Sequence, residues 1–186
     1  MSRLSALPGP LVRNLLLPPL PVTKNLHAFY SRDRRFQDWA HSVAGVNAPM
    51  PSEFSWGNVV IVRRGRLMAV VTLDSVVEME HGRSMQVSVA TEQQGRWLTR
   101  GILSMLHEVI FEHFRVSVAW AHTSRKNKKA RRLLEKLGCK LEGVHRLRWD
   151  GKTDAVVYSM TREEAERWIM KPSPRSPSEA SPKGHL

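Results

Sequence analysis

The order of segments in this 186-residue chain predicts an α/β fold, one mixed and mostly antiparallel sheet with helices on both faces. Three observations carry that prediction. Three β-rich runs follow one another between residues 58 and 90, with Gly65 and Gly82 at the breaks, as in an antiparallel meander. Two passages from a strand into a helix come next, about thirty residues apart, at 89–99 and 120–139. Finally, 41% apolar and 25% charged residues fit a soluble globular chain of one domain with a full core.

Each element has its own signal. Residues 1–23 include Pro8, Pro10, Pro18, Pro19 and Pro21, which exclude a continuous helix, so they are read as an extended arm. The domain proper is expected over 24–170. Within 26–45, Phe29, Phe36, Trp39 and Val43 suit one face of a helix that ends near Gly45, and Pro49 and Pro51 mark a loop. Val59–Val62, Leu67–Leu73 and Met85–Ala90 are the three strands. Residues 96–114 give the clearest helix, with Leu98, Ile102, Leu106, Val109 and Ile110 on one stripe. Arg115–Ala121 reads as a strand. A helix over 127–137 turns Ala130, Leu133, Leu134 and Leu137 inward and ends at Gly138. Strands over 139–149 and 154–161 flank a turn at Asp150-Gly151, and Glu163–Trp168 adds a helical turn. Residues 171–186 are Pro/Ser-rich, the composition of a disordered tail.

Charge narrows the partners. A net charge of +12 calls for a polyanion, whether a nucleic acid, an acidic protein or a phosphate-bearing cofactor. Arg125, Lys126, Lys128, Lys129, Arg131 and Arg132 form the densest basic cluster. Nucleic-acid contact through 125–132 therefore stands beside the plainer reading of a solvated helix face. No zinc-finger spacing, RNP-like motif or basic zipper accompanies it. No apolar run reaches the roughly 18 to 20 residues that span a bilayer, so no membrane role is expected. The lone Cys139 has no partner for an intramolecular disulfide, which fits a reducing compartment such as the cytoplasm. His81, His107, His113 and His145 lack metal-ligand spacing, and no metal is expected.

The stretch Val89–Thr99 (VATEQQGRWLT) carries the chemistry. A strand end and a short turn with Gly95 lead into a long helix, whose first unpaired N–H groups and positive dipole end suit a phosphate. Val89, Glu92, Gln94 and Gly95 fit the pattern V-x-P-E-x followed by Q/R-x-x-G-x-G/A, with Thr91, Trp97 and Thr99 in place of Pro, Gly and Gly/Ala. Asn127, Ala130, Leu133, Glu135, Lys136, Leu137 and Gly138 fit N-x-x-A/S-x-x-L-Y/L-E-K-x-G-F, with Cys139 in place of Phe.

In these two motifs the chain resembles the GNAT N-acetyltransferase superfamily, and it is similar in motif to ribosomal-protein and other N-terminal acetyltransferases. The resemblance spans roughly 24–168 and implies an acyl-CoA N-acyltransferase fold. It also implies transfer of an acetyl group from acetyl-CoA to a primary amine, with a protein or peptide as one acceptor class. Cofactor contacts would fall on Val89, Gln94, Gly95, Arg96, Trp97, Leu98 and Thr99 for the pyrophosphate. Asn127 and Ala130 would meet the pantetheine arm. The plain structural roles of these last two are a helix N-cap and a small packing residue. Leu134 stands where many members carry a tyrosine that protonates the leaving thiolate, though the N-terminal acetyltransferases have Leu there too.

For the proton chemistry, His122 is the base candidate, on the strand face shared with Val116, Val118 and Trp120. Glu78, with Glu80 beside it, is a second candidate, and Tyr158 and Ser124 are candidate proton donors. A rival reading weighs the losses at 97, 99 and 134: an inactive binding or structural protein on a GNAT scaffold. Short GNAT-like proteins of bacteriophage particles resemble this chain in size and basic character, which would place it in a virion.

Overall fold

A computed structural model of the chain describes residues 20–23, 26–44, 57–92 and 97–170. Eight strands form one sheet in the order β1-β2-β3-β4-β5-β6-β8-β7. They are β1 Leu20–Thr23, β2 Leu26–Ser31, β3 Gly57–Arg63, β4 Arg66–Met79, β5 Gly82–Thr91, β6 Val118–Ser124, β7 Lys140–His145 and β8 Ala155–Thr161. The helices are α1 Arg34–Ala44, α2 Arg100–His107, α3 Lys128–Lys136 and α4 Arg162–Met170. The last four residues of the expected arm are thus β1, an edge strand antiparallel to β2; 1–19 and the tail 171–186 lie outside the described residues.

Residues 26–45 are not one helix. Leu26, Ala28 and Tyr30 are buried on one side of β2, which pairs with β3 from Leu26↔Arg63 to Ser31↔Asn58. The chain then turns at Asp33, whose Oδ1 accepts from the Arg35 N–H at 3.0 Å and whose carbonyl accepts from Phe36 N–H at 3.1 Å, starting α1. Phe29 and Phe36 meet edge to face across that turn, 5.9 Å apart. Aromatic spacing alone mimics helical periodicity here, because Phe29 and Phe36 pack together from two different elements.

Two apolar layers sandwich the sheet. On one face Phe36, Trp39 and Ala40 of α1 pack against Val60, Val62, Val70 and Ala90. On the other, Ile102, Met105, Val109, Ile110 and Phe111 pack with Trp97 and Ala165 against Val59, Ile61, Val71, Leu73 and Met85. The chain from 100 to 113 is helical as expected, but it widens into π-helical turns over Glu108–His113. There the Phe114 N–H bonds the Val109 carbonyl and the Val116 N–H the Ile110 carbonyl. The extra width buries Val109, Ile110 and Phe111 side by side. Gly138 ends α3 in the left-handed region at φ +87°, as a C′ glycine does.

One departure from antiparallel pairing positions the site. β5 and β6 run parallel and pair at only three places, Ser84↔Val118, Met85↔Ala119 and Gln86↔Trp120. Beyond them, Val87–Thr91 continue to pair with β4 while Ala121–Ser124 pair with β8. The two central strands therefore part, and the opening faces the start of α2.

Candidate active site

The parted strands overlie a cavity of about 170 Å³ with an almost wholly apolar lining. β5 contributes Val87 and Val89, β6 Ala119 and Ala121, and β8 Tyr158 and Met160. Leu133, Leu134 and Leu137 of α3 and Trp97 and Leu98 ahead of α2 also line it, and residues of α2 and α4 close the remaining sides. Ala119, Trp120 and Ala121 of β6 all border the cavity, and alternation sends the side chains of His122 and Ser124 to the sheet face opposite that of Ala121. An opening of this kind offers unpaired backbone groups along two strand edges and an apolar trough beside them, which fits an amide-bearing pantetheine arm.

The eroded loop shows how its losses are absorbed. Trp97 is 2% exposed and packs in the main core with Ile102 and Met105, so its indole is turned inward. Thr99 is the N-cap of α2, its Oγ1 accepting from the Ile102 N–H at 3.3 Å. That bond takes up one amide that a phosphate at this helix end would otherwise use. Gln94, Gly95 and Arg96 lie outside the described residues. At α3, the Asn127 Oδ1 accepts from the Ala130 N–H at 3.1 Å, a helix N-cap that uses only the oxygen of the carboxamide.

The candidate proton carriers separate clearly. His122 is half-buried, stacked at 5.9 Å on Trp120 and edge-on to Trp149 at 5.7 Å. Burial, and secondarily the neighbouring His145, hold its pKa below the ordinary histidine value. Tyr158 is 1% exposed. Its hydroxyl donates to Glu135 Oε1 at 2.8 Å and accepts from Arg131 Nε at 3.3 Å. Ser124, at the end of β6, accepts from the Lys126 N–H at 3.3 Å. Glu78 is not brought to this group. It pairs with Arg83 at 2.7 Å across the β4–β5 hairpin, toward the end of β5 away from the opening, and Glu80 sits in the hairpin turn.

Three participants were given no part in proton chemistry by the sequence: Trp149, which lies on His122, and Glu135 and Arg131, marked only as a motif match and as part of the basic cluster, which hold the Tyr158 hydroxyl. Their contacts join positions 23 to 27 residues apart, and no local spacing marks them. Among the described residues, His107, Glu112 and Glu166 bring potential metal-ligand atoms within 4.8 Å of one another. The Arg162 guanidinium already bonds both carboxylates, at 2.6 and 3.0 Å, and supplies the countercharge.

A mixed sheet parted between two parallel strands, with a helix starting at the gap, is the architecture of acyl-CoA N-acyltransferases. A family model described as an acetyltransferase (GNAT) domain matches residues 21–140, and the chain belongs to that family. Acetyl-CoA is the acyl donor of such domains. Several solved structures share the fold. A probable acetyltransferase is 16% identical, with 78% of this chain and 98% of that one covered and a TM-score of 0.59. The spermidine/spermine N-acetyltransferase SpeG of Vibrio cholerae is 14% identical over 77% and 96%, TM-score 0.60. The ribosomal-protein-S5-alanine acetyltransferase of Vibrio fischeri is 13% identical over 78% and 97%, TM-score 0.58. A comparison with curated protein sequences gives no match. No helix among the described residues is long and apolar enough to cross a membrane.

Proposed function

We propose that this protein transfers the acetyl group of acetyl-CoA to a primary amine, with an amino group of a protein or peptide as the acceptor. The observation that carries this reading is the parting of β5 and β6 over an apolar cavity at the start of α2. The protein acceptor is supported by the fold shared with a ribosomal-protein acetyltransferase. It is also supported by the +12 charge, which repels a polycation such as a polyamine. A cytoplasmic location belongs to the same reading, because that is where acetyl-CoA and a reduced Cys139 coexist.

Bound acetyl-CoA supplies an activated thioester; the chain supplies placement and proton handling. Val89 and Leu98, together with the sequence positions Gln94, Gly95 and Arg96, would hold the pyrophosphate, with Thr99 capping the start of α2. The Asn127 carboxamide and the small Ala130 accommodate the pantetheine. His122, kept neutral by burial, accepts the proton that the attacking ammonium must lose, and Trp120 and Trp149 fix its ring. Tyr158, oriented by Glu135 and Arg131, returns a proton to the leaving thiolate, and Leu134 next to it cannot. Ser124 stands at the end of β6 as an alternative donor.

A second reading is a GNAT scaffold without catalysis, as in a phage-particle protein. It is favoured by Trp97 buried in the core and by Thr99 occupying an amide of α2. Calorimetry with acetyl-CoA separates the two. Saturable binding, weakened in Asn127→Ala, supports transfer; absence of heat up to millimolar ligand supports the inert scaffold.

A further inference from the structure

Two basic stretches, 125–132 and 146–152, meet in the fold. Residues 125–154 carry eleven Lys/Arg against four Asp/Glu, and all four acids are engaged internally. Glu135 accepts from Tyr158 and Glu142 from Ser159. Asp150 accepts from the backbone of Lys152 and Thr153, and Asp154 from the Leu147 N–H and from Arg125. The Asp154 carboxylate thus fastens the turn 146–154 beside the start of α3. Lys128, Lys129 and Arg132 of α3 and Arg146, Arg148 and Lys152 of the turn are all exposed. The first three, with Arg148 and Lys152, have no ion-pair partner among the described residues.

The same turn carries Trp149 onto His122, which in turn stacks on Trp120. All three rings are partly exposed. The result is a row of aromatic rings rimmed by cations, running from Trp120 at the border of the apolar cavity to Trp149 in the turn. Cations spaced along a rim match a phosphodiester backbone, and aromatic faces inside the rim match unstacked bases. An acidic peptide would use the cations and leave the rings idle; a duplex keeps its bases stacked and cannot reach them.

We propose that the composite surface of Lys128, Lys129, Arg132, Arg146, Arg148 and Lys152, with Trp149 at its centre, binds single-stranded nucleic acid beside His122. This goes beyond acetyl transfer, and the binding holds whether or not the protein is an active enzyme.

The test is fluorescence anisotropy of the full chain with a labelled 20-nucleotide single strand, its duplex and a poly-glutamate peptide, over a range of salt. The single strand binds tightest. Trp149→Ala weakens it by about fivefold or more and leaves the duplex unchanged. Arg146→Ala/Arg148→Ala lowers the slope of log affinity against log salt by about 1.4, near 0.7 for each phosphate that is no longer neutralised. That double variant keeps its affinity for acetyl-CoA in calorimetry and its circular dichroism spectrum. Equal binding of poly-glutamate, indifference to Trp149→Ala, or full displacement of the single strand by saturating acetyl-CoA each overturns the proposal. The last result would mean that the basic rim only serves the phosphates of CoA. Loss of acetyl transfer with binding intact bears on the enzyme reading alone.

Discussion

The indole of Trp149 stands edge-on to the imidazole of His122, ring centroids 5.7 Å apart and planes at 74°. A turn residue thereby covers the one histidine on the strand that borders the opening, and with Trp120 it takes water from that ring. Desolvation disfavours the imidazolium, so a neutral, proton-accepting histidine results.

The pH dependence follows from that shift. Under the proposed base role, kcat/KM for acetyl transfer falls on acidification through a pKa below the ordinary value of about 6.5, and His122→Gln removes this limb and lowers kcat by about a hundredfold. Stability moves with it. Below about pH 6.5 the unfolded imidazole binds a proton that the folded one resists, so the unfolded state holds more protons and stability declines as pH falls. Urea unfolding at several pH values shows this decline in wild type and less of it in His122→Gln.

Asn127 caps α3, and the proposed function gives it a second, separable duty toward acetyl-CoA. Asn127→Ala loses the cap on Ala130 N–H and costs about 1 kcal/mol of stability. Asn127→Asp keeps the cap, because a carboxylate oxygen replaces the amide oxygen, but it lacks the NH₂ donor. Denaturation midpoints therefore drop for the first variant only, whereas calorimetry finds weaker acetyl-CoA binding for both.

Trp97 has become part of the core. Trp97→Gly restores the residue of the family loop, yet removes a side chain that is 2% exposed, and it destabilises by roughly 3–5 kcal/mol. Urea titration measures this directly; a loss below about 1 kcal/mol would show that the indole is not packed as described.

Tyr158→Phe deletes the hydroxyl held by Glu135 and Arg131 and leaves the ring in place. Under the acid role, kcat falls about a hundredfold or more with KM for acetyl-CoA nearly unchanged. Steady-state kinetics decide it, since a purely structural hydroxyl would change stability and not kcat.

Cys139 is an inert thiol. Burial pushes its pKa up to about 11, and it lines the apolar cavity. Alkylation by iodoacetamide at pH 8 is slow in the folded protein and fast in urea, as mass spectrometry of the Cys139 peptide reports.

The sequence by itself determined the elements whose signals are local. Gly138 closes α3 because its left-handed backbone excludes most side chains, and Asn127 with Ala130 announces the start of that helix. The β-rich runs between 58 and 90 became β3 to β5, and the motif spacing at 89–99 and 127–139 sufficed to place the chain in its family. Tertiary structure decided the rest. Whether 26–31 is helix or strand depended on a free edge of β3 to pair with, which no residue within that segment reveals. The inward turn of Trp97 depended on space among Ile102, Met105 and their neighbours. The separation of β5 from β6, the seat of Trp149 on His122 and the meeting of two basic stretches all join residues remote in the chain. Local propensity reads one segment at a time, whereas burial and pairing energies are shared between segments, so only the assembled sheet could settle them.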